Sequence, residues 1–289
     1  MPNDSIHLVQ KGLIAKIIAA TGLETCSTNK VPAACEALGI DPEGEPMEEP
    51  WSYPSIVGML LYLSNNTRPD IAFAVSQVAR FTHNPKKSHA SAVKMIVRYL
   101  AGTSDKGTIV QSATSLELTC HVDADFAGLF KRDPDSSISS AKSRLGYIIK
   151  LSNCPLLVKT QLMPTICLST AEAEYYALSQ AMRAVIPMLA LIREMLEQLD
   201  FPPVLKVLTK KLKATVHEDN TAALTLPNDQ RISSHTRHYH QRTHFFWQAV
   251  SDGSVEVVYC NTHEQQADYL TKGLVHQVFV SHRFNVQGW

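Results

Sequence analysis

The hydrophobic pattern of this chain changes period at Leu116, and that change restricts the possible folds more than any other feature. Before it, apolar residues recur at helical spacing. From Leu116 onward, Leu116, Leu118, Cys120 and Val122 alternate with polar residues, as in a half-buried strand. Residues 146–151 and 164–168 read as two more short strands. A long helix starts at Ser169, a strand at 214–216 leads into a helix at Asn220, and 235–250 is helical. Residues 254–260 read as a strand, and 262–272 as a last helix stopped by Gly273. Three strands, helix, strand, helices, strand, helix is the order of a mixed α/β sheet with helices packed on it.

Upstream, a short strand at 6–10 precedes a helix with Leu13, Ile14, Ile17 and Ile18 on one stripe. Residues 40–50, rich in Pro and Glu, read as a linker. Three helices follow. The first lies near 53–64, Pro69 opens the second at its first position, and Asn84-Pro85 ends it. Ser88 is the expected cap of the third, which runs to Ala101-Gly102 and carries Lys94 and Arg98, with Lys86 and Lys87 just before it. These shifts divide the chain into 1–48, a helical segment 49–113, an α/β domain 114–275 and a tail 276–289.

The 289 residues are 45% apolar, enough to bury a core, and carry 27 basic and 27 acidic residues. Zero net charge runs against the basic balance usual in nucleic-acid binders, so any such surface must be local. Cys26, Cys35, Cys120, Cys154, Cys167 and Cys260 are scattered with no CxxC pair, which implies free thiols in a reducing compartment. No apolar run reaches the roughly 18–20 residues of a membrane span, and the first residues lack a signal-peptide core. The expectation is a soluble, intracellular chain with no membrane partner.

Four acidic residues stand in separate segments: Asp123 in CHVDADFAG, Glu174 in LSTAEAEYYAL, Asp219 in VHEDNTAAL and Asp268 in EQQADYLTK. Brought together, four carboxylates can hold two divalent metals for phosphodiester hydrolysis. Without a cation they repel each other and their pKa values rise. Glu174 shares a helical face with Ala177, Leu178, Ala181, Val185 and Leu189, a face that must pack on the sheet, so its carboxylate needs a partner. Glu172 has a structural task instead, closing a capping box with Ser169. Read alone, Asp219 is a helix N-cap and Asp268 a solvated helix residue with Thr262 and Gln265 forming a capping box upstream. Asp123 and Asp125 are two apart on extended backbone and point to one side, so spacing does not choose between them.

His235, His238, His240 and His244 crowd one segment with Arg237 and Arg242. His240 and His244 have a metal-ligand spacing, but no further zinc ligands are marked. A cationic surface touching a nucleic-acid backbone at Arg237, His238 and Arg242 is favoured over zinc and stands level with a plain solvated face. His263, five residues before Asp268, could move a proton or help product leave.

HVDADFAG, KSRLGYIIKL, LSTAEAEYYALS, EDNTAAL, HTRHYHQRTHFF and QQADYLTKGL follow one another as in the ribonuclease H domain of copia-type retrotransposon polyproteins, which this chain resembles over 6–275. The upstream stretch from YPSIVGMLLYLSNNTRPD to VRYLAGTSDKG resembles the segment that follows the polymerase palm in the same polyproteins. The resemblance implies a five-stranded ribonuclease H-like sheet and two Mg2+ ions, replaceable by Mn2+. It implies cleavage of the RNA strand of an RNA–DNA hybrid. By motif position it makes Asp123 the first catalytic aspartate, Glu174 the glutamate, Asp219 the second aspartate and Asp268 the last. Lys86, Lys87, Lys94 and Arg98 become hybrid-contacting candidates, and the rest of such a polyprotein an expected partner, in the cytoplasm, in retroelement particles or in the nucleus. The chain departs from the family in three places. An aromatic-Asp-Asp motif is missing, so no DNA synthesis is expected. Phe126 stands where Trp is usual, and His235-Thr236-Arg237-His238 replaces an Arg-Thr-Lys-His pattern.

Two rival readings remain at the level of sequence. One is a non-catalytic nucleic-acid-binding remnant of a decayed element. The other is an integrase-type nuclease, whose acidic set ends in a glutamate where this chain offers Asp268.

Overall fold

The computed structural model describes residues 5–111, 115–130, 132–134, 136–198, 212–221, 223–224 and 240–289, with side chains of the last stretch from 245 onward. Its centre is a five-stranded mixed sheet. The strands are β3 (Leu118–Asp125), β4 (Arg144–Leu151), β5 (Cys154–Leu162), β6 (Ala214–Glu218) and β7 (Val255–Tyr259), in the order β5-β4-β3-β6-β7. β3, β4 and β5 pair antiparallel, while β6 pairs parallel with both β3 and β7. A parallel neighbour needs a crossover. Between β3 and β6 the chain provides the helix α5 (Thr170–Gln198), and between β6 and β7 the helix α6 (His240–Ser251). This is the ribonuclease H-like α/β architecture that the resemblance implies.

Alternation along the central strands sends side chains to two separate cores. Leu118, Cys120 and Val122 of β3 and Tyr147 and Ile149 of β4 meet Ala173, Ala177, Ala181 and Val185 of α5. Ile148 points the other way, into a core built largely from the upstream helices. Those are α1 (Lys11–Ala20), α2 (Tyr53–Asn66), α3 (Ala72–Val78) and α4 (Lys87–Ala101), joined by α7 (Asp268–Thr271) and α8 (His276–Gln287). β1 (Ser5–Leu8) and β2 (Thr108–Gln111) close a separate antiparallel pair. The sheet is therefore covered on both faces.

A buried polar network ties α8 to the upstream helices. Arg68 and Asp70 form an ion pair of 2.8 Å with both side chains fully buried. Tyr99 donates to Asp70 at 2.6 Å, Gln287 donates to its other oxygen at 3.2 Å, and Arg283 donates to the Tyr99 hydroxyl at 3.1 Å. The Arg68 guanidinium lies 5.2 Å from the Trp289 ring centre. Residues 276–289, read from sequence as a tail, thus hold an ordered helix.

Several local expectations are corrected. The third strand is Cys154–Leu162, not 164–168. β5 is an edge strand with Pro155 near its start and apolar contacts on both faces, so its alternation is blurred. The helix after Asn84-Pro85 begins at Lys87, where the Lys86 amide donates to His89 Nδ1 at 3.0 Å; Ser88 binds Asp41 instead. Pro69 opens a short 3-10 turn, Pro69–Ile71, before α3. Residues 262–272 form a 3-10 turn and then α7, separated by Gln265, Gln266 and Ala267. α5 is, by hydropathy and length, apolar enough to cross a membrane, contrary to the reading of the sequence, but its apolar face packs on the sheet.

Candidate active site

α5 and α7 reach the C-terminal end of β3 from opposite faces of the sheet. Ala173 and Tyr175 of α5 sit in one core, Tyr269 and Leu270 of α7 in the other. Both helices have local reasons to start where they do. Ser169 Oγ accepts the Glu172 amide at 3.1 Å, and the Glu172 carboxylate accepts the Leu168 amide at 2.6 Å, one residue before the expected capping-box partner. Glu172 is thereby committed to the helix start. Glu174, two residues on, is left to project at the end of β3.

The approach of α7 depends on Gly146. In the β3–β4 register Gly146 lies opposite Asp123. A Cβ at this position would lie 2.8 Å from Leu270 Cβ and 2.9 Å from Thr271 Cγ2. With hydrogen there instead, α7 settles onto β4 and the Thr271 hydroxyl donates to Asp123 Oδ2. Fully buried Gln265 fixes the turn before α7, its amide donating to the Val122 carbonyl at 2.8 Å and more weakly to that of His217 at 3.4 Å.

Asp123, Glu174 and Asp219 each offer a carboxylate oxygen, and these oxygens lie within 4.8 Å of one another. Asp125 stands outside this group, although sequence spacing left it equal to Asp123. Asp219 is not spent as a helix cap, because Asn220 Oδ1 accepts the Ala223 amide at 3.2 Å. Asp268 is near enough to raise the Asp123 pKa, but it too lies outside the three-carboxylate group and pairs with Lys272 at 2.9 Å.

Burial and mutual repulsion push Asp123 and Glu174 in one direction. Asp123 is pushed up to about 7, chiefly by burial and then by Asp268. Glu174 is pushed up to about 11 by burial, with Glu218, Asp123 and Asp219 adding to it. Glu174 Oε2 is buried without a hydrogen-bond partner. Such a set of hard oxygen donors, short of protein cations, fits a divalent metal such as Mg2+.

No protein-family model matches the chain. Among curated proteins it is 31% identical over 274 residues to the retrovirus-related Pol polyprotein from transposon RE2 of Arabidopsis thaliana, a match covering 95% of this chain and 17% of that polyprotein. It is 34% identical to the Pol polyprotein from transposon TNT 1-94 of Nicotiana tabacum, over 76% of this chain and 15% of the other. The chain belongs to the copia-type retrotransposon Pol family. It spans less than a fifth of the length of these two polyproteins. Among solved structures, that of LC11-RNase H1 in complex with RNA/DNA hybrid aligns with a TM-score of 0.34 and 12% identity, over 53% of this chain and 93% of that one.

The remaining candidates of this copia-type chain are dispersed. His263 is exposed on the 3-10 turn Thr262–Glu264, its amide bonded to Asn261 Oδ1. On α4, Lys94 pairs with Glu49 at 2.5 Å, and Lys87, at its first residue, with Glu45 at 2.9 Å, so the linker partly neutralises that basic face. Lys86 and Arg98 are half-buried. Arg237, His238 and His235 lie outside the described residues, as do the side chains of His240, Arg242 and His244.

Sequence reasoning passed over Glu218. It is fully buried on β6, its Oε1 accepts the Asn220 amide at 3.1 Å, and its Oε2 has no hydrogen-bond partner. Burial raises its pKa well above the usual carboxylate range. The strand alternation Ala214, Val216, Glu218 was the available signal, since it places a carboxylate on the core face.

Proposed function

We propose that this chain is a retroelement ribonuclease H that hydrolyses the RNA strand of an RNA–DNA hybrid. The observation that carries the reading is the convergence of Asp123, Glu174 and Asp219 within 4.8 Å at one end of β3. Membership of the copia-type Pol family and the ribonuclease H-like sheet support it.

Asp123, Glu174 and Asp219 would hold Mg2+, or Mn2+ in its place, with Asp268 as a fourth carboxylate once released from Lys272. Bound metal supplies an activated water and stabilises the charge on the leaving oxygen. The protein supplies position. Thr271 orients Asp123, the Glu172 cap sets the first turn that carries Glu174, and Asn220 relieves Asp219 of capping. Hybrid selection would rest on backbone shape and 2′-hydroxyl contacts rather than on base edges.

The test is cleavage of a labelled RNA–DNA hybrid with Mg2+ by four variants. Asp123→Asn and Glu174→Gln should abolish cleavage while the folded circular-dichroism spectrum persists. Asp125→Asn and Glu172→Gln should retain most of it. A wild-type chain that binds hybrid without cutting it would instead support a non-catalytic nucleic-acid-binding role.

A further inference from the structure

A cavity of about 220 Å³ opens beside the acidic cluster, where the upstream helices meet the sheet. Lys142, Arg144 and Lys272 line it together with Asp125, Thr271 and Phe73. Arg144, the first residue of β4, is only 5% exposed. Its Nη1 donates to Ser76 Oγ at 2.6 Å and to Thr160 Oγ1 at 3.4 Å, and its guanidinium stands 5.4 Å from the Phe73 ring centre. Among the described residues no carboxylate comes within 4.0 Å of it, and Arg68, the other deeply buried arginine, shows the contrast by its pairing with Asp70. Asp125, its partner in the β3–β4 register, acts on it only from beyond ion-pair distance. Lys142 likewise forms no ion pair among the described residues.

A buried cation satisfied only by hydroxyl groups keeps an unbalanced charge, and such a charge is costly unless something neutralises it. Burial accordingly pulls the Arg144 pKa down to about 10. No ion-pair partner among the described residues supplies the counter-charge, which an anion from outside the chain can provide. A guanidinium fork beside two lysines suits the oxygens of a phosphate. Position narrows its source. Thr271 lines the cavity and also donates to Asp123, so an anion held here sits next to the carboxylates that would cut the backbone.

We propose that Arg144, Lys142 and Lys272 form a pocket for a backbone phosphate of the bound nucleic acid, distinct from the phosphate being cleaved. The proposal rests on the nuclease reading above, and its test separates the two. Binding of a fluorescent RNA–DNA hybrid is measured by anisotropy at several salt concentrations in an Asp123→Asn background, where cleavage does not interfere. Lys142→Gln and Arg144→Gln should each weaken binding about tenfold, and each should lower the slope of log affinity against log salt by about one. Arg144→Lys should recover part of both effects. Unchanged affinity and slope would overturn the pocket while leaving the nuclease intact. A slope effect in a chain whose wild type does not cleave would keep the pocket and remove the nuclease. Thermal stabilisation by inorganic phosphate with no effect of the variants on hybrid binding would assign the site to a free anion and overturn the backbone reading. If Arg144→Gln fails to fold, the charge reversal Lys142→Glu takes its place: a loss of affinity and slope supports the pocket, and wild-type values of both overturn it.

Discussion

Thr271 on α7 donates its hydroxyl to Asp123 on β3, a bond between residues 148 positions apart. It favours the ionised form of a carboxylate that burial and Asp268 push the other way, with Lys272 adding to its effect. Thr271→Val keeps the shape and removes the donor. Leaving a buried acceptor unpaired costs roughly 1–3 kcal/mol. We expect a fall of that size in urea unfolding, and hybrid cleavage slower by about tenfold. Thr271→Ser should restore most of both. Wild-type rates in the valine variant would refute a positioning role.

Gly146→Ala tests the same arrangement from the strand side. The added methyl would meet Leu270 Cβ at 2.8 Å and Thr271 Cγ2 at 2.9 Å, so α7 must lift away from β4. Overpacking of this kind costs about 1–3 kcal/mol. Both Thr271 and Asp268 ride on α7, so activity should fall further than in Thr271→Val. An alanine variant as active as wild type would mean that α7 is not held by this contact.

The metal-free chain should lose stability as pH rises. Asp123 is raised to about 7 and Glu174 to about 11, both chiefly by burial. A carboxyl group with a raised folded-state pKa binds more protons folded than unfolded. Its contribution is complete below the unfolded value near 4 and is lost as pH climbs through the folded value. The melting temperature in EDTA should therefore drop between pH 5 and pH 8, and Mg2+ should restore it at pH 8 because the ion binds the ionised set. Glu218→Gln, which removes a buried acid with an unpartnered oxygen, should flatten the pH dependence. A melting temperature in EDTA that is constant or rising over this range would contradict the account.

What the sequence disclosed and what it withheld divide along physical lines. Period-2 alternation marked β3, whose Leu118, Cys120 and Val122 all face one core. It failed at β5, an edge strand with apolar contacts on both faces. The motifs singled out Asp123, Glu174, Asp219 and Asp268, but strand spacing alone could not rank Asp123 against Asp125. That choice depends on how α5 and α7 meet the end of β3, which is a tertiary fact. Gly146 was visible only as a strand residue, since its value lies in what packs against it. Arg144 was ordinary in sequence, and its want of a carboxylate appears only once Ser76, Thr160 and Phe73 surround it. Lys87 and Lys94 read as a basic face until the linker glutamates Glu45 and Glu49 were placed on them.

The 114–289 fragment should not fold alone as a compact domain, even though the candidate carboxylates all lie within it. Ile148, Tyr269, Leu270, Phe279 and Val286 share one core with the helices α1 to α4. At roughly 1.5–3 kcal/mol for each buried apolar side chain, exposing them costs on the order of 10 kcal/mol. That is comparable to the entire stability of a typical domain, about 5–15 kcal/mol. The deletion also removes Asp70 and Tyr99, the partners of Gln287 and Arg283 on α8. Arg68→Ala is the point-mutation counterpart. It strands the fully buried Asp70 without its cation, and breaking such a pair costs about 3–5 kcal/mol. The fragment should aggregate or unfold without a cooperative transition, and co-expression with residues 1–113 should restore a folded complex. A soluble 114–289 fragment that melts cooperatively and cleaves hybrid would show that the sheet needs no cover on its second face, and the two-sided core would lose its claim to hold the site together.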